Sequence, residues 1–153
     1  MPYAITDYGW RAVGDDFTEA DLMPGESLVI DIPQWLYDNI AAAEVLRQAV
    51  ATYNSKVSQG NAQVRAIQGR ITTLNWLIYE QDPEDPDYEE PTEADSAELA
   101  LLKPRLTKWN SYNNKLSKVP AQLTWPTDPI WPVMPELYTS EMSMVAPVPL
   151  DTI

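Results

Sequence analysis

Residues 34–80 read QWLYDNIAAAEVLRQAVATYNSKVSQGNAQVRAIQGRITTLNWLIYE. Along this stretch Leu36, Ala43, Leu46, Val50, Tyr53, Val57, Val64, Ile67, Ile71, Leu74 and Ile78 recur in alternating steps of three and four, once Asn39 and Gly60 are counted in the series. That spacing is a heptad pattern and predicts a helix packed along one seam. One row of the seam holds Leu36, Ala43, Val50, Val57, Val64, Ile71 and Ile78; the other holds Leu46, Tyr53, Ile67 and Leu74. Pro33 suits the first turn of a helix, where its missing N–H costs nothing. Ser58-Gln59-Gly60-Asn61 is a plausible break by propensity, since glycine costs about 1 kcal/mol against alanine. The stripe nevertheless keeps its phase across Gly60, and a loop would reset it. One helix is therefore expected over 33–81, roughly 65–70 Å long at 1.5 Å rise per residue.

A rod of that length is too long for one short helix to cover. Leu46, Val50, Tyr53, Val57, Val64, Ile67, Ile71, Leu74 and Ile78 thus form a candidate oligomerisation seam, with a homodimer or homotrimer, or another protein, on the far side. β-branched residues in one row with leucine in the other lean toward two strands, but Tyr53, Gly60 and Ile67 depart from that rule.

The flanking segments give the rest of a mainly α fold. Residues 1–32 read as a small β-rich entry, with short strands expected at Tyr8–Val13 and Ser27–Ile32 around a Met23-Pro24-Gly25-Glu26 turn. Such a ribbon is not stable alone and must pack on something. Residues 82–96 carry prolines at 83, 86 and 91 among repelling acids, which predicts an extended loop. Thr92 with Asp95 or Ser96 can cap a second helix over 97–119. That helix places Leu99, Leu102, Leu106, Trp109, Tyr112 and Leu116 on one side, with Pro104 predicting a kink or a start in two pieces. The two helices are expected to pair as an antiparallel hairpin. Residues 120–153 hold seven prolines and no Lys, Arg or Gly, and their apolar content predicts an extended arm that docks.

Composition removes several function classes. The 153 residues contain no Cys and no His, so disulfides, Cys-based metal sites and imidazole chemistry are absent. The net charge of −13 argues against nucleic acid and anionic membrane as partners. No apolar run reaches the length of a membrane span, and MPYAITDYGW lacks the pattern of a secretory signal. Charge is segregated: residues 80–98 carry ten acids and no base, between two stretches (45–79 and 99–118) that carry bases and no acid. This is either a solvated acidic loop or one that lies against its basic flanks. It lacks the spacing and central glycine of a calcium loop, and no metal or cofactor is expected. Paired carboxylates are set by space rather than spacing. Yet no phosphate loop and no nucleophile elbow is present, and an enzyme is not expected.

Binding surface remains. Trp125-Pro126-Thr127-Asp128-Pro129-Ile130-Trp131-Pro132-Val133-Met134-Pro135 contains two Trp-Pro-x-x-Pro units. Proline fixes φ and lacks an N–H, so the stretch is expected to run near polyproline II. Trp125 and Trp131 would then project from one side, two turns apart. Either both indoles cover the 97–118 helix near Trp109 and Tyr112, or at least one is exposed until a partner buries it. Trp131, Pro132 and Pro135 join the candidate partner-binding residues on this ground.

The run Leu106–Val119, with Trp109-x-x-Tyr112-x-x-x-Leu116-x-x-Val119 followed by Trp125-Pro126 and Pro129, resembles the end of tailed-phage tail fibre assembly proteins. Thr92-Glu93 at the start of the helix and the preceding apolar helix fit as well, so the resemblance covers residues 62–135. It implies a chaperone for a trimeric tail fibre protein, which binds the receptor-recognising tip and in some members stays in the particle. Trp109, Tyr112, Leu116, Trp125 and Pro126 match the motif positions. The same resemblance implies work in the host cytoplasm during assembly, with the virion tail as a further location. The short β entry, the long heptad helix and the second Trp-Pro unit lie outside the motif. They leave open a second class: a structural virion component that self-associates through a coiled coil.

Overall fold

The computed structural model describes residues 1–139. Met142, Met144, Val145 and Val148, expected to form part of the docking arm, lie outside the described residues. The fold is mainly helical, with a small antiparallel sheet at the N-terminus. Two compact units are present among the described residues: 1–52 with 124–128, and 53–123 with 129–139.

In the first unit, β1 (Tyr3–Ile5), β2 (Trp10–Ala12) and β3 (Ser27–Val29) form a sheet of order β2-β1-β3. Tyr3 pairs with Ala12 on one side and Val29 on the other. The central strand is the one sequence reading does not supply, because three residues are too few to show alternation. Tyr3 and Trp10 meet edge to face at 5.6 Å. Gly25, at φ +85°, turns the chain into β3. Arg11 on β2 donates twice to the Glu26 carboxylate, each at 2.8 Å, and Met23 N–H donates to it at 2.8 Å. These bonds hold the Glu26 carboxyl down at about 2, the guanidinium contributing most. Asn39 donates to the Asp7 carbonyl at 3.1 Å, which ties the sheet to the start of the long helix. Ala4, Ile5, Val13, Leu36 and Ala49 are the buried apolar residues of this unit.

The long helix, α1, spans Gln34–Asn75 and passes into a single π-helical turn, Trp76–Glu80. It is continuous through Gly60, and its 42 residues extend about 63 Å. Gly60 is buried because Asn113 of the second helix lies against it; a Cβ there would overlap the Asn113 amide oxygen. The seam position without a side chain is thus a point of close helix approach, not a break.

The second helix, α2, spans Glu93–Leu116. Thr92 and Asp95 cap it reciprocally: Asp95 N–H donates to Thr92 Oγ1 at 3.2 Å, and Thr92 N–H donates to the Asp95 carboxylate at 2.7 Å. The bonds from Thr92 hold the Asp95 carboxyl below its usual range. Pro104 neither splits α2 nor delays its start. It sits on the exposed face, where the Ala100 carbonyl that it leaves without a donor is also at the surface. In the second unit Gly60 approaches Asn113 while Arg70 forks onto Glu98 at 2.8 Å through both nitrogens. Rising numbers on α1 meet falling numbers on α2, so the helices are antiparallel. Ile67, Leu74, Leu99, Leu102, Trp109, Tyr112, Leu116 and Val119 are its buried helical and near-helical apolar residues.

The acidic segment is not extended. Asp82 and Asp85 each accept, through the side chain, from a backbone N–H two residues on, both at 2.9 Å. Backbone bonds from Asp85 N–H to the Asp82 carbonyl and from Tyr88 N–H to the Asp85 carbonyl add two consecutive turns. Aspartate before proline favours such turns, and here that local bonding outweighs charge repulsion.

Candidate functional site

The candidate surface is built on α2 and on the proline-rich segment that follows it. The four motif side chains Trp109, Tyr112, Leu116 and Val119 are all buried, Trp109 completely. Trp109 and Tyr112 pack edge to face with centroids 5.4 Å apart. These positions recur at three- and four-residue steps, which puts them on one helix face. They form part of the core of the second unit.

Residues 129–139 have no regular secondary structure. The Trp109 indole donates to the Glu136 carbonyl at 3.2 Å. Gln63 on α1 grips Tyr138 with both ends of its amide: Tyr138 N–H donates to Oε1 at 2.7 Å, and Nε2 donates to the Tyr138 carbonyl at 3.2 Å. Gln122 holds Ile130 in the same way, with both bonds at 2.8 Å. Gln81 does so for Glu89, at 2.8 and 3.0 Å. A glutamine amide presents one donor and one acceptor side by side, as a neighbouring strand does. Two irregular segments are therefore fixed at three points by side chains that stand in for strand partners. Nothing in the local sequence signals them, because each partner is a backbone group with no residue preference.

The first Trp-Pro unit departs from the expected strip. Trp125-Pro126 is a cis peptide within a turn, where Asp128 N–H donates to the Thr124 carbonyl at 2.8 Å. The segment is thus not one unbroken polyproline II run, and the two-turn spacing between the indoles does not apply. Trp125 and Pro126 belong to the first unit, whereas Trp131, Pro132 and Pro135 belong to the second. All five are half-buried. The Lys56 ammonium lies 5.4 Å from the centre of the Trp131 ring, a cation–π pair from α1. Between these anchored points Ile130, Val133 and Leu137 project outward, Val133 at 93% exposure.

A groove of about 430 Å³ runs between α2 and this segment. Lys108, Ser111, Tyr112 and Lys115 line one side, and Val133 and Met134 the other. The Tyr112 hydroxyl is buried with no hydrogen-bond partner, and burial raises its pKa.

The seam residues divide by unit. In the second unit Ile67 and Leu74 are buried, and Tyr53, Val57, Val64, Ile71 and Ile78 are half-buried. In the first unit Leu46 is 45% exposed and Val50 40% exposed, although Ala49 beside them is buried. Among the described residues no group of three acids is placed to hold a metal ion, and no helix is long and apolar enough to cross a membrane. No protein-family model, curated protein or solved structure matches this chain.

Proposed function

We propose that this protein is a tail fibre assembly protein: a chaperone that binds the tip of a trimeric receptor-binding phage tail fibre. The observation that carries the reading is the burial of Trp109, Tyr112, Leu116 and Val119 on one face of α2 and its end, with the Trp109 indole bonded to the Glu136 carbonyl of the proline-rich segment. The motif that resembles the family is then an architectural one. It fixes a proline-rich segment on a helical hairpin and leaves Ile130, Val133 and Leu137 facing outward. Exposed apolar side chains on a rigidly held, irregular backbone suit protein recognition. The role is binding without catalysis, carried out in the host cytoplasm, with retention on the virion tail as its later stage.

The test is co-expression with a tail fibre from the same genome. Soluble, trimeric fibre should form with this protein and aggregate without it. Equal yields of trimer in both cases would remove the chaperone reading.

A second reading is a structural virion component that self-associates through a coiled coil. The exposure of Leu46 and Val50 on an otherwise heptad-patterned helix favours it. A homodimer or homotrimer by light scattering, lost in Leu46→Glu with Val50→Glu, would support this reading; a clean monomer would exclude it.

A further inference from the structure

We propose that the groove between α2 and residues 133–135 takes an extended, carboxylate-bearing segment of a partner protein. The proposal deepens the binding reading above and rests on it only for which protein supplies the segment.

Three observations point to that occupant. The first is charge. The chain carries −13, yet the charged residues that line this groove are Lys108 and Lys115, both exposed and neither in an ion pair among the described residues. They stand seven residues apart on α2, on the same face two turns apart, with Ser111 between them. Two carboxylates in alternate positions of an extended chain, about 7 Å apart, can reach toward such a pair.

The second is backbone. Val133 and Met134 form the opposite wall, and no hydrogen bond among the described residues engages their N–H groups. Pro132 and Pro135 on either side have no N–H. The segment is held from both ends, by the clamps at Ile130 and Tyr138, so this short stretch is presented with its donors open. An added strand satisfies open backbone groups and gains side-chain contacts at alternate positions. Val133 and Met134 supply the apolar side of that contact.

The third is the Tyr112 hydroxyl. It belongs to a residue only 3% exposed that lines the groove, and it has no partner. A buried hydroxyl without a hydrogen bond is costly, and an acceptor from the incoming segment offsets that cost.

The probe is the peptide acetyl-Val-Glu-Val-Asp-Val-amide, titrated into the full chain and followed by backbone amide NMR. Shifts should concentrate at residues 107–115 and 133–134. The peptide with Gln and Asn in place of the acids should bind about tenfold more weakly, as two solvent-edge ion pairs imply. Lys108→Glu with Lys115→Glu should abolish acidic-peptide binding without moving the thermal midpoint, because both side chains are exposed. Tyr112→Phe should weaken the peptide while leaving the fold at least as stable. No shifts at the groove, or equal binding of both peptides, would overturn the proposal. So would concentration-dependent loss of the same signals without peptide, which would assign the groove to a second copy. The assay contains no fibre, so its failure removes the groove and leaves fibre binding to its own test.

Discussion

Single atoms decide several features of this fold. Gly60 and Gly69 lie on the same helix, but a Cβ at Gly60 would overlap the Asn113 amide, whereas one at Gly69 meets nothing within 4 Å. Gly69→Ala should therefore stabilise by about 0.5–1 kcal/mol, the ordinary propensity gain. Gly60→Ala should destabilise by about 1–3 kcal/mol through overpacking, and Asn113→Ala in the same chain should recover much of that loss. Urea titrations of the three variants check this; a stabilising Gly60→Ala would show that the Asn113 side chain turns aside without cost. Tyr112→Phe and Trp109→Ala form a second contrast. Removing an unpartnered hydroxyl should cost nothing or stabilise, while emptying the Trp109 site should cost about 3–5 kcal/mol. At the start of α2, Thr92→Ala should cost about 1 kcal/mol in thermal unfolding. The Asp95 carboxyl is held low, so its contribution is complete above the ordinary value of 3.8 and disappears as pH falls through its folded value. The difference between wild type and Thr92→Ala should accordingly shrink as the pH falls below the ordinary carboxyl value of 3.8.

At the scale of elements, what was legible in the sequence is what depends on periodicity. The unbroken phase of the α1 stripe fixes a continuous helix, and Thr92-x-x-Asp95 marks where α2 begins. The three-residue strand Tyr3–Ile5 is illegible because it is shorter than one period of anything. The expectation of one extended strip over 125–135 fails at its start, where Thr124–Asp128 forms a turn although proline statistics alone suggest extension. The attachment of residues 129–139 depends on Gln63 and Gln122, glutamines whose partners lie 75 and 8 residues away. The motif residues Trp109, Tyr112 and Leu116 were found by resemblance, but their burial required coordinates. Gln63→Ala should loosen residues 136–139 while leaving the hairpin folded. Hydrogen exchange should rise at Tyr138, and unchanged protection there would mean that the clamp is incidental.

For the molecule as a whole, a cysteine- and histidine-free, strongly acidic chain presents apolar side chains on an irregular segment that two glutamines, Gln63 and Gln122, and the Trp109 indole hold in place. The most direct measurement is affinity co-purification of a tail fibre from the same genome with this protein, followed by light scattering of the eluted complex. A fibre assembly protein should bring down trimeric fibre in a defined ratio, and Ile130→Asp with Val133→Asp should reduce the yield of complex without unfolding the isolated chain. Fibre that is trimeric, soluble and absent from the eluate would contradict the assignment.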